Sequence, residues 1–99
     1  MKAVHNGKVL AEANKEDLVF IDGAWYFPPE AVHAQEIESS DTQYHCSWRG
    51  DAQYYQTNDG EQQDIGWSYP GMSDAAKDRV GKDVSKYVAF DRKVDLVEE

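Results

Sequence analysis

Short runs of alternating hydrophobic and polar residues, separated by turn residues, make up the first part of the chain. Residues 4–10 hold two β-rich runs around Asn6-Gly7, and residues 17–27 hold two more around Asp22-Gly23. Asn-Gly and Asp-Gly favour the tight turns that join the strands of a β-hairpin. The pattern therefore predicts two hairpins in the first quarter of the chain.

The rest of the chain continues as short elements with polar or glycine-rich connections. A Ser73 N-cap and a Gly81 helix end predict a helix at Asp74–Val80 between them. The other predicted elements are a helical turn at 30–37, a loop at 39–42, strands at 43–46, 51–57 and 63–69, and a closing hairpin of 86–90 with 94–97. The predicted fold is mainly β: a compact single domain, residues 1–99, of short antiparallel strands and hairpins with one or two short helices.

Length and charge limit the functions that the chain can have. Ninety-nine residues favour one domain, no apolar run approaches the ~18 residues of a membrane span, and a single cysteine forms no internal disulfide. These features predict a cytoplasmic protein that does not bind membranes. The formal net charge is −9, which also argues against nucleic acid as a partner, because such binding needs clusters of Lys and Arg.

Arg49 is the candidate binding residue. It is the only Lys or Arg in residues 16–76, a stretch with twelve carboxylates and most of the aromatic rings. A guanidinium is a rigid fork of donors that can also stack on rings, so it can hold a small anion between them. The alternative is that Arg49 pairs internally with Asp51, Asp41 or Glu30. The candidate ligand-binding residues are Arg49, Trp48, Tyr54, Tyr69, Tyr26 and Cys46.

Cys46 is the only thiol and the candidate catalytic residue, if there is one. A nucleophilic cysteine needs a lowered pKa and a nearby base. The adjacent His45 points to the opposite face of a strand, which leaves His33 or His5, and the alternative is that Cys46 is a buried core residue. The chain has no Cys-x-x-Cys pair and no glycine-rich phosphate loop, so neither a metal nor a cofactor is expected.

Five short blocks occur in an order that resembles the small bacterial domain-of-unknown-function family 427. They are Tyr26-Phe27-Pro28, Ser40-Asp41-Thr42, Cys46-x-Trp48-Arg49-Gly50-x-Ala52-x-Tyr54-Tyr55, Trp67-Ser68-Tyr69-Pro70 and Tyr87-Val88-Ala89-Phe90. The resemblance covers nearly the whole chain and implies a compact, largely β domain without an assigned enzymatic activity. The family pattern usually reads Cys-Pro-x-Lys-Gly, whereas this chain has Ser47 and Arg49 at the proline and lysine positions.

Three functional hypotheses follow from the sequence. The first is a non-catalytic module that binds a small anionic or aromatic metabolite in an aromatic pocket through Arg49. The second is an enzyme that uses Cys46 as a nucleophile. The third is a protein-interaction domain with an exposed aromatic patch, either monomeric or homodimeric. The first needs only the residues that the sequence shows, whereas the second also needs a base.

Overall fold

The computed structural model describes residues 1–98 and confirms that the chain is mainly β. One α-helix, α1 (Asp74–Val80), and three 3₁₀ helices (Lys15–Asp17, Pro29–Ala31, Ala34–Glu36) accompany the strands. None of the helices in this range is long and apolar enough to cross a membrane. The strands are β1 (Lys2–His5), β2 (Lys8–Glu12), β3 (Val19–Ile21), β4 (Ala24–Phe27), β5 (Ile37–Cys46), β6 (Gly50–Thr57), β7 (Gly66–Ser68), β8 (Val88–Phe90) and β9 (Asp95–Val97).

The strands form two antiparallel sheets. The small sheet has the order β2-β1-β9, and the large sheet has the order β3-β4-β8-β7-β6-β5. Both predicted N-terminal hairpins are confirmed, with positive φ at Asn6-Gly7 and at Asp22-Gly23. The predicted closing hairpin is wrong, because β8 pairs with β4 and β7, whereas β9 pairs with β1 in the other sheet.

The helix was predicted with its correct ends. The Ser73 hydroxyl accepts a hydrogen bond from the Ala76 backbone N–H, and Gly81 adopts the left-handed conformation that ends the helix. The loop predicted at 39–42 is wrong, because these residues lie inside β5. The pairing of β5 with β6 is irregular there, and the hydroxyls of Ser40 and Thr42 both donate to the Asp64 carboxylate.

Each face of the large sheet packs against a different hydrophobic cluster. Successive side chains of a strand point to opposite faces, so the neighbours Tyr26 and Phe27 in β4 belong to different clusters. The first face packs on the small sheet, and its cluster includes Leu10, Phe27 and Phe90. The second face packs on α1 through Ala76. This second face carries the candidate site.

Candidate functional site around Arg49

A three-residue turn between β5 and β6 positions Arg49. Cys46, the last residue of β5, pairs directly with Gly50, the first residue of β6, and residues 47–49 form the turn. Gly50 has a φ of 94°, a left-handed conformation that glycine adopts without the steric cost of a side chain. The turn brings the Arg49 side chain into contact with residues of the second face, where it is only 14% exposed.

Two groups accept hydrogen bonds from the Arg49 guanidinium. Nη1 donates to the Tyr26 hydroxyl at 2.7 Å, and Nε donates to the Cys46 sulfur at 3.4 Å. The Tyr26 hydroxyl also accepts a hydrogen bond from Trp67 Nε1 at 3.0 Å. Arg49 therefore takes part in a buried polar network that joins β4, β5 and β7.

Among residues 1–98, the carboxylate that pairs with Arg49 belongs to Asp22. Nη2 of Arg49 lies 3.8 Å from Asp22 Oδ2, which is an ion pair beyond hydrogen-bond distance, and the Asp22 side chain is more than half exposed. The alternative of an internal ion pair with Asp51, Asp41 or Glu30 is wrong as to the partner, because none of these three residues forms an ion pair with Arg49 in the described part of the chain. Asp51 instead pairs with His45 at 2.8 Å, because these two residues are directly opposite in the β5–β6 ladder.

The partners around Arg49 keep it charged. Burial lowers the pKa of Arg49, but its contacts with Cys46 and Tyr26 raise it, and the net pKa lies above the ordinary value. Burial also raises the pKa of Tyr26, although the Trp67 hydrogen bond and the Arg49 charge act in the opposite direction. The site therefore contains a permanent cation beside a neutral phenol at neutral pH.

Aromatic rings surround the guanidinium. Its carbon lies 4.4 Å from the Tyr69 ring centroid and 5.2 Å from that of Trp48, which are cation–π distances. Tyr69 is buried, and burial raises its pKa to about 12. Tyr54 packs on Trp67 with ring centroids 6.0 Å apart, so it is one ring further out. The structure thus brings together the predicted residues Arg49, Trp48, Tyr69, Tyr26 and Cys46, and Tyr54 joins them through Trp67.

Cys46 is 8% exposed. Burial is the largest single influence and raises the pKa of the thiol. The hydrogen bond from the Arg49 side chain, the hydrogen bonds from the Trp48 and Arg49 backbone and the Arg49 charge together lower the pKa by more, so the net shift is downward. The imidazoles of the chain have other partners: His33 contacts the Val9 carbonyl, His45 pairs with Asp51, and His5 contacts the Lys93 carbonyl. Cys46 therefore has a cation beside it but no histidine hydrogen-bonded to it.

A cavity of about 260 Å³ opens beside this network. Its lining includes Asp22, Trp48 and Arg79, together with Val80 of α1 and the three residues of β3. The Arg79 guanidinium carbon lies 4.3 Å from the Trp48 ring centroid, so Trp48 contacts two arginines. The sequence alone does not point to Arg79 or Asp22 as residues of this site. The Asp22-Gly23 turn and the helix were both recognised, but their spacing does not show that they meet at Trp48.

A larger open cavity of about 710 Å³ is lined by residues of β5 and β6. It is lined by Asp41, Tyr44, His45 and Asp51, among others, and by no lysine or arginine. Its charge disfavours anions, and it contains none of the six predicted site residues. Within residues 1–98 no group of three or more His, Cys, Asp or Glu residues is arranged to hold a metal ion.

Comparison with known proteins identifies a family but no characterised relative. A family model described as a domain of unknown function (DUF427) matches residues 1–99, the whole chain. No curated protein matches the chain.

Proposed function

Because the chain belongs to the DUF427 family, whose description states no activity, we propose its function from the geometry of the Arg49 site. The chain is a non-catalytic module that binds a small anionic metabolite. Arg49 is the residue that holds the anion, and the cavity bounded by Asp22, Trp48 and Arg79 is where the anion enters.

The incomplete hydrogen bonding of the Arg49 guanidinium is the observation that carries this proposal. A guanidinium has five N–H donors. One N–H on Nε and one on Nη1 are used by Cys46 and Tyr26, and the other three have no hydrogen-bond acceptor in the described part of the chain. A mostly buried charge is costly unless it is paired, and the Asp22 oxygen at 3.8 Å pairs it only loosely. An external carboxylate or phosphate would supply the missing acceptor.

The surrounding rings already contact arginine side chains, which favours an anion over an aromatic ligand. Tyr69 is buried under the guanidinium, and the Tyr26 hydroxyl already accepts two hydrogen bonds. The Trp48 ring bears two guanidiniums at cation–π distance. Because these rings hold the cations in place, they offer little free surface on which a planar ligand could stack.

Asp22 acts as an internal competitor in this proposal. Its exposed carboxylate lines the cavity and lies closer to Arg49 than any other described acid. A bound anion would occupy the position beside Arg49 Nη2 that the Asp22 carboxylate faces. Asp22→Asn removes one negative charge and should therefore tighten anion binding, whereas most site variants would weaken it.

The test is isothermal titration of the protein with butyrate and with inorganic phosphate at constant ionic strength. Arg49→Gln should lower the affinity for both anions by about tenfold or more, because it removes a charge-assisted contact. Arg92→Gln is the matched control, since it removes an exposed arginine between β8 and β9, and it should change the affinity less than about twofold.

Two outcomes would overturn the proposal. One is that Arg49→Gln, shown to be folded by circular dichroism, binds both anions as tightly as the wild type. The other is that Asp22→Asn, which leaves the buried network in place, fails to tighten binding of either anion. The second result does not depend on whether the arginine variant folds.

The lowered pKa of Cys46 favours one alternative, an enzyme that uses this thiolate as a nucleophile. Arg49 provides the activating charge, but a nucleophilic mechanism also needs a base, and no histidine is bonded to the thiol. The rate of iodoacetamide labelling in the native protein separates the two functions. The binding module predicts labelling far slower than in urea, because Cys46 is buried, whereas equal rates would favour the enzyme.

A further inference from the structure

We infer that the site selects doubly charged anions, and that Arg79 is the residue that provides this selectivity. This inference rests on the proposed function and names the class of its ligand. The guanidinium carbons of Arg49 and Arg79 lie 5.2 and 4.3 Å from the same Trp48 ring centroid. Both guanidiniums therefore lie around one indole ring, and an anion with two negatively charged groups could contact one guanidinium with each group.

Arg79 is available to a ligand. Its only described contact with another charged or aromatic group is the one with Trp48, and within residues 1–98 it forms no ion pair, although α1 also carries Asp74 and Asp78. The Trp48 ring holds the guanidinium without neutralising it, because a cation–π contact leaves the N–H donors at the edge of the guanidinium free.

The geometry of α1 explains how Arg79 reaches the cavity. Ala76 is buried against the large sheet, and Arg79 and Val80 follow it by three and four residues. Residues at these spacings share one side of a helix, so packing of Ala76 directs Arg79 and Val80 toward β3 and the turn between β5 and β6. Both line the cavity.

The charge around the cavity suits a dianion. Asp22 and Arg79 are the charged residues among those that line it, and Arg49, which is not among them, has its Nη2 atom 3.8 Å from the Asp22 carboxylate. Two cations therefore face one carboxylate, in a chain whose formal net charge is −9. One negative charge on a ligand would balance the net positive charge of these three side chains. A second negative charge would take the place of the Asp22 carboxylate when that side chain is displaced toward solvent.

The size of the cavity limits the dianion to a compact one. A volume of about 260 Å³ lies below the ~300–1,000 Å³ that is typical for drug-sized ligands. Short dicarboxylates and small phosphate monoesters share the required chemistry, two negative charges within a few atoms. The experiment below distinguishes them.

The experiment compares ligands of matched size and different charge. The wild-type protein is titrated with butyrate, succinate and methyl phosphate at constant ionic strength and at a pH where the last two are dianions. Succinate should bind about tenfold more tightly than butyrate. Tighter binding of methyl phosphate than of succinate would identify a phosphate ester as the ligand, and the reverse would identify a dicarboxylate.

Arg79→Gln tests the selectivity. This substitution is at an exposed residue and should lower the succinate affinity about tenfold more than the butyrate affinity, so that the succinate-to-butyrate affinity ratio falls to about one. Arg79→Lys keeps the positive charge and should retain part of the preference for succinate over butyrate. Arg92→Gln is again the matched control and should leave the ratio unchanged.

The outcomes separate this inference from the proposed function. The proposed function stands if butyrate binds through Arg49. The inference is then still wrong if the wild type shows no preference for succinate, or if Arg79→Gln leaves that preference intact. If none of the three anions binds the wild type, or if binding does not depend on Arg49, both are wrong.

Discussion

The two faces of the large sheet use the same backbone for different purposes. Phe27 points to the first face, where it is fully buried and packs edge-on against Phe90 with ring centroids 5.6 Å apart. Its neighbour Tyr26 points to the second face, where it is as deeply buried but accepts hydrogen bonds from Arg49 and Trp67. The hydroxyl group of Tyr26 places this residue at the centre of a polar network, whereas Phe27, which lacks it, only packs in the core.

This difference shows how apolar packing and a buried charge are separated in a small domain. Apolar packing stabilises the first face without directional requirements. The second face contains a mostly buried cation, which is tolerated because Tyr26 and Cys46 accept two of its hydrogen bonds and two aromatic rings contact it. The proposed anion site therefore lies on the face that carries the polar network, while the first face is packed with apolar side chains.

Phe27→Ala should have the largest effect on stability. It leaves a cavity at a fully buried position between the two sheets, and we expect the free energy of unfolding to fall by about 3–5 kcal/mol. Urea unfolding followed by circular dichroism measures the loss. A decrease below that of the second-face variants described next would contradict the assignment of the two faces.

Alkaline pH should destabilise the second face selectively. The pKa of Tyr69 is raised from 10 to about 12 in the folded protein. The neutral Tyr69 phenol contributes fully to the free energy of unfolding below pH 10. Between pH 10 and 12 only the unfolded state loses the proton, so this contribution declines. It is lost as the pH rises through 12. The expected loss is about 2–3 kcal/mol in the free energy of unfolding. Tyr69→Phe should make this decline shallower, whereas Tyr44→Phe, at an exposed position, should not.

Tyr26→Phe should cost less than Phe27→Ala although the residues are adjacent and equally buried. It removes no volume from the core but leaves N–H donors of Arg49 and Trp67 without an acceptor, and we expect a loss of about 1–2 kcal/mol. A double-mutant cycle with Arg49→Met isolates the coupling between the two side chains. Additive effects would contradict a shared network.

Asp22→Asn should have the smallest effect on stability. The ion pair with Arg49 is long, and the carboxylate is mostly exposed, so the free energy of unfolding should change by less than about 1 kcal/mol. The same variant is expected to tighten anion binding. Loss of several kcal/mol would instead make Asp22 the structural counterion of Arg49 and would weaken the case for an external anion.

Local signals predicted the local structure. The two Asn-Gly and Asp-Gly hairpins and the capped helix Asp74–Val80 were recognised, because turn and cap residues act on their immediate neighbours. The partner of β9 was missed, because two strands close in the chain are normally expected to pair, and here β9 completes the small sheet with β1. The extension of β5 through 39–42 was missed because serine, aspartate and threonine are typical of loops.

The sequence also predicted part of the candidate site. Arg49 was conspicuous as the only cation in a long acidic stretch, and five of the six proposed residues meet at the second face. The contacts that complete the site come from Asp22 and Arg79, which lie 27 and 30 residues from Arg49 in the chain. Whether a hairpin turn and a helix meet depends on how the sheet is ordered, and residue spacing does not encode that order.

The irregular pairing in β5 has a consequence for the behaviour of the protein at high concentration. β5 is the longest strand and forms one edge of the large sheet. From Ser39 to Gln43 it advances four residues while β6 advances two, and the nearby carboxylates of Glu38 and Asp41 are exposed. A distorted, charged edge is a poor template for strands of other molecules. The same residues that looked like a loop should therefore disfavour strand addition at this edge of the sheet, which sedimentation of concentrated samples would check.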